Sequence, residues 1–133
     1  MMKGHCECRT VRFTIDGDIE DYSHCHCSQC RRLHGAAYAT FAGVKLDGFR
    51  YTDGEDQVSE YASSDKNDRW FCAVCGSNIA CFARDEPDML YVAMSAIEGH
   101  PALPEVYHIF VGSKAPWHEI TDDAPQYETA PSD

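Results

Sequence analysis

Val11-Arg12-Phe13-Thr14-Ile15-Asp16 alternates apolar and polar side chains, and Gly17-Asp18 follows as a turn. Successive side chains of an extended backbone point to opposite faces, so this period of two predicts a strand with Val11, Phe13 and Ile15 buried on one side. Further short strands are expected at 37–42, 49–52, 57–62, 69–72, 79–83, 89–93 and 106–111. Turn formers separate them at roughly the 8 to 12 residue spacing of all-β architectures, among them Gly43, Gly48, Asp53-Gly54, Gly76 and Pro87. No long amphipathic helix interrupts this pattern. One helix of about two turns is expected after Ser28 as N-cap, carrying Cys30, Arg31, Arg32 and Leu33 and ending at Gly35 in the left-handed conformation. The reading is a mainly β fold with one short helix.

At 133 residues the chain suits one hydrophobic core, and its 44% hydrophobic and 25% charged residues are ordinary for a globular domain. A single domain is expected over 1–120. The remaining stretch, 121–133, is acidic, carries Pro125 and Pro131, shows no apolar period and is expected to be disordered. A formal charge of -11 repels phosphate backbones and anionic membrane surfaces, which argues against a nucleic-acid or membrane partner. An anionic substrate would need a local basic patch.

Eight cysteines are the unusual feature. Without a signal-length apolar run at the N-terminus or a stretch of about 18 apolar residues elsewhere, a reducing, cytoplasmic setting is expected. There, clustered cysteines point to metal rather than to disulfides. Cys6 and Cys8, at i and i+2 of one β segment, would share a face. Cys72 and Cys75 flank a tight turn in which Gly76 can take positive φ. Two plus two completes a tetrahedral structural site of four thiolates that staples the first strand to a late hairpin.

Cys25, Cys27 and Cys30 place three more thiols near one point, where the chain passes from extended segment to helix. Catalytic zinc characteristically has three protein ligands and one open position, so this second site reads as the reactive one. His24, His26, His34 and Cys81 are candidates to close it, although Cys81 reads better as a small buried hydrophobe and His26, its ring facing away from the metal, as a packing residue or an outer support of the ligands. Arg31 and Arg32 read either as a solvated helix face or as neutralisers of thiolate and captors of a substrate carboxylate. Trp117 is expected to pack in the core, and His108 to be a hydrogen-bonded core histidine.

Gly4-His5-Cys6-Glu7-Cys8, Cys25-His26-Cys27-Ser28-Gln29-Cys30-Arg31-Arg32 with Gly35, Arg69-Trp70-Phe71-Cys72-Ala73-Val74-Cys75-Gly76-Ser77, and His108-Ile109-Phe110-Val111 with Ser113-Lys114-Ala115-Pro116-Trp117 stand in an order that resembles the glutathione-dependent formaldehyde-activating enzymes and the related centromere protein V domain. The resemblance implies a β-tent of small antiparallel sheets, one zinc on Cys6, Cys8, Cys72 and Cys75, and a second on Cys25, Cys27 and Cys30. It also implies a carbon-sulfur lyase whose co-substrate is glutathione, the small-molecule partner being a thiol adduct of formaldehyde or a related electrophile. The rival expectation is a non-catalytic two-zinc scaffold with its second site closed by histidine or cysteine. Ser95-Ala96-Ile97-Glu98 departs from the Gly-x-Leu-Asp-like segment of many members, a loop expected to border the pocket.

Overall fold

The computed structural model describes residues 1–131. Ten strands and one α-helix follow one another as β1 (Met2–His5), β2 (Arg12–Ile15), β3 (Asp21–Cys25), α1 (Ser28–His34), β4 (Ala39–Lys45), β5 (Phe49–Asp53), β6 (Val58–Ala62), β7 (Asn67–Cys72), β8 (Asn78–Ala83), β9 (Met89–Ala93) and β10 (Tyr107–Ile109). They form a three-stranded sheet, β1-β2-β5, and a seven-stranded sheet, β10-β3-β4-β9-β8-β7-β6. The alternation that predicted β2 is realised: Phe13 and Ile15 are buried and Arg12 is exposed. Those two side chains meet Val44, Ile79, Leu90 and Val92 of the larger sheet, so the core lies where the small sheet covers the large one. Burial of this apolar surface, at about 25 cal/mol per Å2, is the main force holding the two together.

Close approach of β1 to β2 depends on Gly4. A methyl group on Gly4 would overlap the Phe13 ring and stand 2.5 Å from the Ala96 carbonyl oxygen. Since Phe13 is 1% exposed and the other obstacle is backbone, neither can yield cheaply. Gly4→Ala is therefore expected to destabilise the fold by about 1–3 kcal/mol, read as a lower urea midpoint at unchanged slope.

Two features differ from expectation. Every neighbouring pair is antiparallel except β10 with β3, which run parallel with His108 opposite His24. Within the acidic stretch expected to be disordered, residues 121–131 dock instead along the outer edge of β10, where His108 N–H donates to the Pro125 carbonyl at 2.8 Å and Tyr127 N–H to the His108 carbonyl at 2.9 Å, while 132–133 lie outside the described residues. An edge strand leaves one row of backbone donors and acceptors unpaired, and this stretch satisfies them. Tyr107 and Tyr127 pack edge to face at 5.9 Å across the contact. Among the described residues no helix is long and apolar enough to cross a membrane.

Candidate metal centre and active site

Cys6 and Cys8 stand in the turn that follows β1, not on a shared strand face. Cys6 N–H donates to the Val11 carbonyl and Arg9 N–H to the Cys6 carbonyl, both at 3.1 Å, while Arg9 takes φ 65°. This turn, in place of a shared strand face, brings both sulfurs toward the end of β7. Opposite them, Gly76 N–H closes onto the Cys72 carbonyl at 2.8 Å, with Gly76 at φ 81° as its place after Cys75 requires. Glu7 N–H donates to Ser77 Oγ at 3.0 Å and ties the two turns together.

The four Sγ atoms lie within 4.8 Å of one another. Cys6 to Cys8 is 3.6 Å and Cys8 to Cys72 is 3.8 Å. Zinc–sulfur bonds of about 2.3 Å in a tetrahedron put neighbouring sulfurs ~3.8 Å apart, so this donor set has the size and chemistry to hold such an ion. Burial pushes the Cys6 thiol up to about 11, whereas the Ser77 hydroxyl draws the exposed Cys75 down to about 5.

The second cluster is Cys25 at the end of β3, Cys27 at the N-cap of α1 and Cys30 in its first turn, again with sulfurs within 4.8 Å. Cys27, rather than Ser28, caps the helix: its Sγ accepts from Cys30 N–H at 3.3 Å. Gly35 ends the helix in the left-handed conformation, as its sequence position predicts. Hydrogen bonds from Cys25 and Cys30 draw the Cys27 thiol down to about 2, and the same contacts push Cys25 up. Cys30 is lowered by Cys25, yet its contact with Cys27 and its burial outweigh that and leave it raised to about 11. The three thiols titrate as one coupled group, so a first negative charge belongs to the trio and not to a single sulfur.

That charge has a counterion for which the sequence reading had assigned no role. Arg69, in the middle of β7 and 4% exposed, donates from Nη1 to Cys30 Sγ at 3.4 Å. Its Nε donates to Ser63 Oγ at 3.0 Å and its Nη2 to Gln29 Oε1 at 3.5 Å. A lone arginine at a position where β7 turns inward, three residues before Cys72, was the available signal. Arg31 and Arg32 stand elsewhere: Arg31 Nε donates to the His26 carbonyl at 3.4 Å, Arg32 is exposed, and neither lines the cleft described next.

The trio opens on a cleft of about 600 Å3 whose wall also includes Arg69, Cys81, Lys66 and the tail residues Ala130 and Pro131. Among the described residues no histidine and no further cysteine joins the three sulfurs. Cys81 pairs across β7–β8 with Arg69 and stays in the wall. His24 Nδ1 is turned to Thr40 Oγ1 at 2.8 Å, and His34 stands edge-on to Phe41 at 5.4 Å. His26 is fully buried and bonded to His108, itself 1% exposed, at 2.8 Å, in keeping with the packing roles expected of both.

Trp117 is a correction, being 70% exposed; Ala115, fully buried, occupies the inward position of that loop. Ser95 and Ala96 border a separate cleft of about 440 Å3 beside Cys6 and Cys75, so the departing loop lies at the four-cysteine cluster and not at the trio. Glu98 pairs there with His5 at 3.2 Å.

The sequence model of the glutathione-dependent formaldehyde-activating enzymes matches residues 1–113, which span both clusters and Arg69. The chain belongs to this family. A Halomonas elongata protein provisionally named a glutathione-dependent formaldehyde-activating enzyme is 29% identical over 131 residues, covering 90% of this chain and 81% of its own. An uncharacterized lyase of Schizosaccharomyces pombe is 26% identical over 77 residues, 58% of this chain and 54% of its own. The crystal structure of a Rhodobacter sphaeroides protein superposes with a TM-score of 0.64 at 29% identity, covering 74% of this chain and 90% of that one.

For this member of the glutathione-dependent formaldehyde-activating enzyme family, the Arg69 contacts carry a direct consequence. Removing one partner of a buried charged pair leaves the other uncompensated, at a cost of about 3–5 kcal/mol. Arg69→Met, which keeps the bulk of the side chain, is expected to lose that much stability in a denaturant titration. A loss under about 0.5 kcal/mol, the range of ordinary surface substitutions, would show that the guanidinium does not offset the thiolates.

Proposed function

We propose that this protein is a zinc-dependent carbon-sulfur lyase that joins and parts glutathione, or a similar thiol, and formaldehyde or a related small electrophile. The observation carrying this reading is the convergence of Cys25, Cys27 and Cys30 on the wall of a substrate-sized cleft with no fourth protein ligand among the described residues. The family supports the reaction class, and the Halomonas and Schizosaccharomyces relatives carry names of the same kind. In this proposal Cys6, Cys8, Cys72 and Cys75 hold a structural zinc, and the trio holds a second. Bound there, zinc would supply Lewis-acid polarisation and a lowered pKa for a thiol or water brought to it.

The chain's own residues do the rest. Arg69 keeps the trio in its charged form against the cost of burial, and the cleft walls bring thiol and aldehyde together out of bulk water. In the forward direction a carbon-sulfur bond forms between the thiol sulfur and the carbonyl carbon, and the thiol proton ends on the carbonyl oxygen. The reverse step returns it to sulfur as that bond breaks. Lys66, which lines the cleft where Arg31 and Arg32 do not, is the cation placed to receive a carboxylate of the thiol substrate.

A cytoplasmic setting, where thiols stay reduced, belongs to the same proposal, as does a small-molecule partner in place of nucleic acid or membrane. Against the closed-scaffold alternative, no histidine or further cysteine among the described residues stands with the trio to close its second site. Turnover is the test: zinc-loaded protein is offered S-hydroxymethylglutathione and a panel of related adducts, with formaldehyde release followed. Release above the metal-free background is expected, and its absence with every adduct would overturn the lyase reading.

A further inference from the structure

Asp122, His108 and His26 form a line of polar groups from the surface to the junction between β3 and α1, and the proposed reaction does not use it. His108 Nε2 lies 3.1 Å from each carboxylate oxygen of Asp122, and its Nδ1 lies 2.8 Å from His26 Nε2. An ionised carboxylate only accepts, so His108 donates from Nε2. Neutral His108 then offers a bare Nδ1, and the hydrogen bond requires His26 to donate from its Nε2. His26 Nδ1 is left unprotonated, and it is buried with no hydrogen-bond partner among the described residues. The opposite assignment needs a cationic His108 within 5.0 Å of the His24 ring and leaves an N–H of His26 buried without an acceptor. One tautomer is therefore dictated along the whole line.

His26 sits between two of the three trio cysteines, and its backbone is the hinge from strand to helix. Its N–H donates to the Ile109 carbonyl at 2.9 Å, and its ring packs against Tyr38 at 4.9 Å. His108 is gripped in turn by β3 on one side and by Pro125 and Tyr127 on the other. The residue is thus anchored twice, its ring at Nε2 by His108 and its backbone N–H by Ile109, and the two peptide planes joined at its Cα carry Cys25 and Cys27.

We propose that Asp122 and His108 are positioning residues that hold the ring of His26 and so keep Cys25 and Cys27 converged with Cys30 on a divalent metal ion. This rests on the reading of the trio as a metal site. Asp122 lies beyond residues 1–113 that the family pattern covers, so this chain's own tail completes the support.

The full-length protein tests it with zinc as the probe. Competition with a chromophoric chelator reads each ion's affinity, and cadmium-113 NMR identifies which cluster empties, because four-thiolate and three-thiolate ions differ in chemical shift. Asp122→Ala is expected to weaken the trio's ion by about tenfold or more, the scale of lost outer partners of metal ligands. The four-cysteine ion and the melting midpoint should stay as in the parent. Nitrogen-15 NMR should show the His26 proton, confined to Nε2 in the parent, spread over both nitrogens.

Asp122→Asn keeps an accepting oxygen and should restore both the tautomer and the affinity. Unchanged trio affinity and tautomer in Asp122→Ala would overturn the inference, as would an Asn variant that behaves like Ala, or loss of both ions together with a lower midpoint. A parent protein that takes up no second ion would instead overturn the metal-site reading beneath it, and failed adduct turnover with both ions bound would overturn only the lyase reading.

Discussion

Cys72→Ala is expected to abolish cooperative unfolding at room temperature. Cys72 is fully buried at the end of β7, and its sulfur faces Cys8 across 3.8 Å, where the turn after β1 meets the β7–β8 hairpin. Structural zinc in small domains contributes roughly 10–16 kcal/mol of apparent binding free energy, and a whole domain is stable by only about 5–15 kcal/mol. Losing one of four ligands forfeits most of the first quantity and so exceeds most of the second.

Cys75→Ala separates this cause from simple packing. Cys75 is exposed, so its removal opens no cavity, yet it takes one sulfur from the same proposed zinc site. Thermal melts of both variants, beside parent protein under reducing conditions with a strong chelator, should show the same collapse in all three. If Cys72→Ala melts early while Cys75→Ala and chelated parent do not, the sulfurs serve packing alone and the four-cysteine site has been misread.

The second large effect concerns activity. Cys27 is the one thiol of the trio that its neighbours' hydrogen bonds draw down, and it also caps α1 through Cys30 N–H. Alanine would remove both roles and mix a cap loss of about 1 kcal/mol with the loss of a ligand. Cys27→Ser keeps an oxygen able to cap the helix and replaces the soft sulfur donor. The serine variant is expected to melt within a few degrees of the parent, to lose the second ion, and to release formaldehyde from a hydroxymethyl thiol more than about 100-fold slower, since even outer partners of a metal ligand are worth 10–100-fold. Turnover within tenfold of the parent, with the fold intact, would remove the trio from the reaction.

Both predictions concern residues that local spacing marks out. Paired cysteines two or three apart are a short-range signal, because thiols that close in sequence can reach a single ion whatever surrounds them. The same holds for β2, whose alternation is visible without its partners, and for Gly35, whose place after a two-turn helix calls for a left-handed residue. Where spacing reads Cys6 and Cys8 as strand neighbours, the four sulfurs still come together although the local geometry differs. A turn with Arg9 at positive φ serves convergence as well as a shared strand face would.

Other features depended on distant chain segments meeting. Arg69 is an unremarkable charge on a strand until β7 carries it beneath α1, and only there does its guanidinium find Cys30. Trp117 reads as core by its size alone and is exposed because Ala115 already fills the inward position. The acidic tail has the composition of a disordered segment, and a composition cannot report that β10 leaves an open edge for it.

What the sequence by itself determined is the chemistry available, namely seven clustered thiols in two groups and a chain of short strands with a single helix, since residue type and near-neighbour spacing are local properties. Tertiary structure alone decided what surrounds those thiols: the buried Arg69 beside the trio, the absence of a fourth sulfur or imidazole there among the described residues, and the Asp122–His108–His26 line. Arg69 stands 39 positions from Cys30 and His108 82 positions from His26, and such contacts arise only when the hydrophobic packing of two sheets brings them together.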